Sequence, residues 1–191
     1  MRGVFLLAAV LAGAVVLSAG CLSSWREVVD ESFEGEAGWS VGRDVPSDPN
    51  TGERIDANAS VSSLMARTGL RSMMLEIDGR QDDGTIWIET AVQLPDRRTR
   101  RARLVFFVYS EAESFNVLAN VVGFLGTGAP SKDSDFEVLG KANPRVGWNE
   151  FSMEMDVNLD QGGELWVAVG ITVAWESQLT YFIDDASVSI R

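Results

Sequence analysis

The residues that could carry out chemistry in this 191-residue sequence are mostly acidic and aromatic, because histidine is absent. Without histidine the chain lacks the usual general base near neutral pH and the commonest metal ligand. The single cysteine and the lack of a Gly-x-Ser-x-Gly turn or a phosphate-binding glycine loop argue against nucleophilic and nucleotide chemistry. The alternative chemistry is glycoside hydrolysis, in which two carboxylates face each other across a sugar, because 28 acidic residues are present. We therefore expect a binding protein rather than an enzyme.

Six tryptophans offer another kind of chemistry, the stacking of an aromatic ring on a flat ligand face. The alternation of side chains places Trp87 and Trp166 on the polar sides of their strands, with Trp166 next to the small Ala168. A ring flanked by hydrogen-bonding side chains suits the C–H face and hydroxyls of a sugar. The alternative is that each tryptophan packs in the core or at a sheet edge. The predicted ligand-binding residues are Trp87, Glu89, Gln93, Asn116, Asn120 and Trp166.

The elements that would position these residues are short strands. After residue 21, alternating segments bounded by Gly, Pro, Asn and Asp dominate, and none has the period of a long helix. In Glu164–Trp175, for example, every second residue from Leu165 to Trp175 is large and apolar. The predicted strands are Trp25–Phe33, Ala59–Met65, Leu70–Ile77, Thr85–Leu94, Arg103–Tyr109, Phe115–Leu125, Phe136–Leu139, Asn149–Val157, Glu164–Trp175 and Leu179–Ile190. This pattern predicts an all-β domain, either a two-sheet antiparallel sandwich or a barrel, with one long loop over 42–58.

The first 21 residues differ from the rest of the chain. Arg2 is their only charge, and an apolar run from Val4 to Leu17 precedes small residues and Cys21. This order is typical of a secretory signal, and the run is too short to span a membrane. Residues 17–21 resemble the lipobox of bacterial and archaeal lipoproteins, which implies cleavage before Cys21 and its lipidation. The alternative is an ordinary secretory signal cleaved nearby.

These features predict a signal peptide over 1–21 and a single β-sandwich domain over 22–191, held outside the cytoplasm and lipid-anchored to the cell membrane. A single cysteine permits no internal disulfide, so a core or a metal must stabilise the domain. The net charge of −12 argues against nucleic-acid partners. The basic run over 97–103 is expected to form internal salt bridges, the alternative being contact with acidic headgroups.

Short motifs recur in a recognisable order along the chain. They are Phe33, Glu34 and Trp39; Thr68, Gly69 and Ser72; Gly147–Phe151; and Tyr181–Asp185. In this order they resemble the jelly-roll carbohydrate-binding modules with a galactose-binding-like fold. The resemblance covers essentially all of the chain after the signal. It implies a β-sandwich that binds glycans without catalysis.

Members of that superfamily often carry a calcium ion that ties the first strand to the last. Carried over to this sequence, the resemblance implies Ca²⁺ held by Glu34, Asp184 and main chain around 68–71. Calcium requires six to eight oxygen ligands. The alternative is that the acidic pair Asp184 and Asp185 is solvated or bonded to a turn.

Together these features predict a non-catalytic glycan-binding module, displayed at the cell surface by a lipid anchor, with a polysaccharide or other neutral glycan as its partner. The alternative is a structural or protein-interaction domain of the cell envelope with the same fold and no sugar site. The two are distinguished by whether Trp87 and Trp166 lie exposed on one sheet.

Overall fold

The computed structural model describes residues 24–35, 38–95, 97–159, 162–175 and 178–191. Cys21 and the predicted signal segment lie outside the described residues. A short 3-10 turn at Asp133–Asp135 accompanies the strands. The strands of the described chain are β1 (Arg26–Glu31), β2 (Ser40–Asp44), β3 (Ala57–Ser62), β4 (Ser72–Asp78), β5 (Thr85–Gln93), β6 (Thr99–Ser110), β7 (Ala119–Gly126), β8 (Glu137–Lys141), β9 (Gly147–Asn158), β10 (Glu164–Val173) and β11 (Gln178–Ile190).

The strands form two antiparallel sheets. One has the order β3-β4-β11-β6-β9, with β1 pairing to β11, and is called the six-stranded sheet below. The other has the order β2-β5-β10-β7-β8 and is called the five-stranded sheet. The all-β, two-sheet antiparallel sandwich predicted from the alternation is therefore confirmed.

The core lies between the inner faces of the two sheets. Leu104 and Phe106 point inward from β6, and Val169 and Ile171 point inward from β10; all four are fully buried. Burial of such a side chain contributes roughly 1.5–3 kcal/mol. The buried apolar residues of the described chain run from Phe33 to Ile190, so the segment after Leu22 contains this core in full.

The structure differs from the predicted elements in three places. Strand β2 begins at Ser40 and extends to Asp44, so it overlaps the start of the loop predicted over 42–58, and it pairs with β5 along the sheet edge. Trp175 was predicted to be a core residue, but β10 ends at Val173 and 56% of Trp175 is exposed. Strand β7 begins at Ala119, so Asn116 lies in the preceding loop rather than on a strand.

Strand β11 changes partner halfway along its length. It pairs with β4 up to Ile183 and with β1 from Ala186 onward. Between these ladders lie Asp184 and Asp185, and the latter has a positive φ of 49°. The loop between β3 and β4 folds against this gap and makes the hydrogen bonds described below.

Part of the basic run forms salt bridges across the six-stranded sheet. The Arg101 side chain lies 3.5 Å from Glu154 and 3.6 Å from Asp156, and Arg103 lies 3.7 Å from Glu154. These pairs follow from the register, which sets β6 beside β9. The predicted internal salt bridges are therefore present at these two arginines.

Candidate functional site

Trp87 lies on the outer face of the five-stranded sheet, as its position in the alternation predicts. Its strand neighbours at the same level are Gly42 on β2 and Gly170 on β10, which leave room for the indole ring. A Cβ atom at Gly42 would lie 2.2 Å from that ring. The side chain is nevertheless only 2% exposed. The prediction that Trp87 provides an open platform is therefore wrong.

The loop between β7 and β8 explains this burial. The Phe136 ring lies on Trp87 with a centroid distance of 5.0 Å, and it also contacts Phe124 at 6.0 Å. Asp133 fixes the loop to the sheet, because its carboxylate accepts hydrogen bonds from the hydroxyls of Thr85 and Thr172. The loop thus covers one end of this outer face, and the aromatic side chains beneath it form a second small core.

The uncovered part of the same face is limited. Trp166 is partly exposed, and its indole N–H donates to Glu164 at 2.9 Å. Glu89 likewise accepts a hydrogen bond from Trp87 at 2.7 Å, and the Gln93 amide donates to the carbonyl of Gly162 at 2.9 Å. The polar groups predicted to hold a ligand are therefore already engaged by neighbouring residues.

The two predicted asparagines do not join this cluster. Asn120 pairs with Thr172, six residues along β10 from Trp166, which corresponds to about 20 Å. Asn116 is exposed in the loop between β6 and β7, where its carbonyl accepts from the Ser114 hydroxyl at 2.8 Å. The structure thus separates the six predicted ligand-binding residues into several places.

A different set of aromatic side chains lies on the outer face of the six-stranded sheet. The register sets Phe182 on β11 beside Tyr109 on β6, and Tyr109 beside Trp148 on β9. Their ring centroids are 6.3 Å and 5.4 Å apart, both in edge-to-face geometry. Phe182 is 4% exposed, whereas Tyr109 and Trp148 are partly exposed. We call these three residues the aromatic row.

The aromatic row was not found from the sequence. Alternation in β6 does predict that Tyr109 points outward, because Leu104, Phe106 and Val108 occupy the inward positions. Its neighbours, however, come from strands 39 and 73 residues further along the chain. Only the pairing of the strands brings the three rings together.

The predicted metal ligands Glu34 and Asp184 both face the β3–β4 loop. One Glu34 oxygen accepts the main-chain N–H groups of Leu70 at 2.8 Å and Arg71 at 2.7 Å. These two hydrogen bonds lower the pKa of Glu34, with Leu70 contributing most. Glu34 therefore fixes the end of the loop through amide donors.

Asp184 is fully buried and accepts three main-chain N–H groups. Its Oδ2 atom accepts from Arg67 at 2.7 Å and from Thr68 at 3.2 Å, and its Oδ1 atom accepts from Asp185 at 2.8 Å. Burial raises the pKa of Asp184, although these hydrogen bonds act in the opposite direction. Two N–H groups of the loop and one of β11 thus converge on the Asp184 carboxylate.

Asp185 and Arg67 complete this network. The Asp185 carboxylate accepts from the Thr68 hydroxyl at 2.6 Å and pairs with the Arg67 guanidinium at 2.5 Å. The same guanidinium lies 3.5 Å above the Phe107 ring, a favourable cation–π geometry. One cation and a set of N–H groups therefore occupy the space between the loop and β11.

This arrangement does not fit a calcium ion well. Five of the contacts to Glu34 and Asp184 come from N–H donors, which cannot ligate a cation. Among the described residues, no group of three or more acidic, histidine or cysteine side chains is placed to hold a metal. The described acidic side chains therefore supply fewer than the six to eight oxygens that calcium requires, and main-chain carbonyls and water would have to supply the rest. Calcium binding by this chain stays a prediction from the resemblance.

No protein-family profile matches the sequence, and no curated protein matches it. The similar solved structures include a carbohydrate-binding module of the β-sandwich superfamily, with 13% identity and a TM-score of 0.51, over 81% of this chain and 59% of that one. The CBM22-1 xylan-binding domain of Xyn10C from Paenibacillus barcinonensis has 11% identity and a TM-score of 0.52, over 87% of this chain and 96% of that one. This chain spans less than two thirds of the first of these structures.

A third similar structure is a Stig cyclase, Fisc from Fischerella sp. TAU. It has 11% identity and a TM-score of 0.51, and the match covers 88% of this chain and 98% of that one. At such identities the likeness establishes the β-sandwich fold alone. Because the fold occurs in sugar-binding modules and in a cyclase, the function must be argued from the residues of this chain.

Among the described residues, no helix is long and apolar enough to cross a bilayer.

Proposed function

We propose that this protein is a non-catalytic glycan-binding domain, displayed outside the cytoplasm by a lipid on Cys21. The observation that carries the proposal is the aromatic row, in which Phe182, Tyr109 and Trp148 lie side by side on an outer sheet face. Tyr109 and Trp148 are partly exposed and can stack on the C–H face of a sugar, whereas Phe182 is 4% exposed and packs against Tyr109. The β-sandwich carbohydrate-binding modules among the similar structures support the same assignment at the level of the fold.

The dimensions and surroundings of the aromatic row suit a short stretch of glycan. The two partly exposed rings, Tyr109 and Trp148, have centroids 5.4 Å apart, a distance comparable with the length of a single sugar unit. Exposed Glu150 on β9 and Thr180 on β11 lie on the same outer face and offer hydrogen bonds to hydroxyls. The net charge of −12 favours a neutral glycan over an acidic one.

The lipid anchor is the second part of the proposal. Its support is the order of residues before Cys21, and the short stretch of four residues between Cys21 and the start of β1 at Arg26. Such a spacing would hold the sandwich close to the membrane. A structural calcium ion at Glu34 and Asp184 is kept as a separate hypothesis, on which glycan binding by the aromatic row does not depend.

The alternative function is a protein-interaction domain of the cell envelope. Its support is the apolar surface of two loops: Leu64 and Leu70 are 75% and 77% exposed, and Phe115 is 99% exposed. Burial of Trp87 also removes one of the two platforms expected for a sugar on the five-stranded sheet. This alternative predicts no binding to any glycan.

The test is calorimetric titration of the chain from Leu22 onward against soluble neutral polysaccharides, with two matched variants. Trp148→Ala removes a tryptophan from the aromatic row, and Trp166→Ala removes one from the opposite sheet. We expect Trp148→Ala to weaken binding about tenfold, a typical loss for an aromatic contact residue, and Trp166→Ala to leave it unchanged. The reverse result would place the site on the five-stranded sheet. Absence of heat with every glycan would favour the protein-interaction alternative.

A further inference from the structure

A pocket opens at the end of the sandwich where β6 stops and β11 has just begun. Its volume is about 260 Å³, and its walls include Ser110, Glu111, Asn143, Gln178 and Thr180. Pockets for drug-sized ligands are typically about 300–1,000 Å³, so a smaller molecule such as one sugar unit is the right size. The pocket exists because β6 ends at Ser110 whereas β11 continues beside β4 as far as Gln178.

Asn143 lines the pocket and carries a buried side-chain oxygen that is unpaired within the described part of the chain. The residue is only 2% exposed, and its side-chain oxygen has no hydrogen-bond partner among the described residues. Its amide nitrogen makes one long contact, 3.5 Å, to the carbonyl of Asn116. Buried polar groups are normally paired, and an unpaired one is costly. This oxygen has almost no accessible surface, so it lies behind the pocket wall and its amide signal serves as a reporter of that wall.

The loop that forms one wall of the pocket is held in place by its neighbours. The Lys141 side chain donates to the carbonyl of Ser114 at 3.1 Å, and the Ser114 N–H donates to the carbonyl of Asn143 at 3.3 Å. The buried Ser110 hydroxyl donates to the carbonyl of Ala112 at 2.8 Å. The wall is thus built before any ligand arrives, which reduces the entropy lost on binding.

The charge of the pocket restricts the class of ligand. Of the described residues that line it, only Glu111 is charged, and the other polar groups are amides and hydroxyls. A carboxylate beside the ligand accepts hydrogen bonds from hydroxyl groups and repels an anion. The geometry therefore favours a neutral molecule rich in hydroxyls and disfavours uronic acids and sulfated sugars.

The pocket also adjoins the aromatic row. Ser110 follows Tyr109 in β6, and Tyr181, which lines the pocket, precedes Phe182 in β11. Thr180 lies two residues from Phe182 on the same face, about 7 Å along the strand. A sugar chain that stacks on the row can therefore reach the pocket with its next unit.

We propose that this end pocket is a subsite for one neutral sugar unit, with Glu111 accepting hydrogen bonds from its hydroxyls and the polar side chains of Gln178 and Thr180 beside it. The proposal rests on glycan binding by the aromatic row, and it identifies where the next sugar unit of the glycan would lie. It places the ligand across the boundary between a sheet face and the end of the sandwich.

The test uses ¹⁵N-labelled protein from Leu22 onward, titrated with glucose, galactose, mannose and xylose, and then with neutral oligosaccharides. We expect a neutral monosaccharide to shift the side-chain amide signals of Asn143 and Gln178 and the main-chain signals of Glu111. Glucuronic acid should shift them at least tenfold more weakly, and Glu111→Gln should reduce that difference.

Two variants separate the pocket from the row. Ala112→Trp places a bulky side chain at the exposed rim, and it should abolish the monosaccharide shifts without disturbing the core. Trp148→Ala should leave the monosaccharide shifts intact and weaken oligosaccharide binding. Oligosaccharides that shift Tyr109 and Trp148 but never the pocket would overturn this proposal and leave the proposed function standing. Absence of shifts with every sugar tested would overturn both.

Discussion

Trp87 and Phe136 lie ring against ring, with centroids 5.0 Å apart and planes inclined at 55°. Trp87 lies in β5, whereas Phe136 lies in the β7–β8 loop just before β8 and reaches Trp87 because that loop folds back over the sheet. This contact converts a surface tryptophan into a buried one. Substitution of Phe136 therefore tests whether the β7–β8 loop covers the outer face of the five-stranded sheet.

Phe136→Ala should expose the Trp87 ring and lower the free energy of unfolding by about 2 kcal/mol, less than a fully buried phenylalanine because Phe136 is partly exposed. Tryptophan fluorescence should shift to longer wavelength, and urea unfolding gives the energy. Phe115→Ala is the matched control, since Phe115 is 99% exposed and should change neither quantity. Equal effects of the two variants would contradict the proposed cover.

The hydrogen bonds at Glu34 predict a dependence of stability on acid. They lower the pKa of Glu34 in the folded protein, so its stabilising effect is present above the ordinary glutamate pKa and is lost as the pH falls through the lowered value. Glu34→Gln should therefore flatten the decline of unfolding free energy between about pH 5 and pH 3, measured by urea unfolding. The exposed Glu113→Gln variant serves as the control. A wild-type slope in Glu34→Gln would show that the loop contacts do not persist in solution.

Asp184→Ala should lower the unfolding free energy by about 3 kcal/mol, because three main-chain N–H groups lose a buried acceptor. Asp156→Ala should have little effect, since Asp156 lies in an exposed ion pair. If N–H donors alone occupy the Asp184 oxygens, wild-type protein will melt at the same temperature with calcium and with a chelator. A melting temperature that falls in chelator and recovers with calcium would instead establish the ion.

The sequence predicted which face of the sheet a side chain points to better than it predicted which residues that side chain contacts. Period two correctly placed Ile86 and Ile88 inside and Trp87 on the outer face, because a strand exposes alternate side chains to opposite sides. It could not predict that Phe136 covers Trp87, since that contact depends on the path of a loop 49 residues away. Burial of an outward residue is a tertiary property with no local pattern.

The residues of the candidate site were even harder to group from the sequence, because their contacts are distant along the chain. Tyr109, Trp148 and Phe182 each carry a local signal, but their adjacency depends on β6 lying between β9 and β11. Asn120 and Trp166 illustrate the converse, because both face outward in neighbouring strands yet lie about 20 Å apart along them. Register and strand order, which are set by contacts distant in sequence, decided which residues could act together.

The pairing of β1 with the end of β11 has a mechanical consequence. Arg26 lies opposite Ile190, whereas the end pocket lies at the start of β11, about 40 Å away along the strand. Antiparallel hydrogen bonds run perpendicular to the strands, so a pull on the chain before Arg26, resisted at the far end, would load the whole β1–β11 ladder in shear. Rupture would then require several bonds to break together, a geometry suited to a tether under tension.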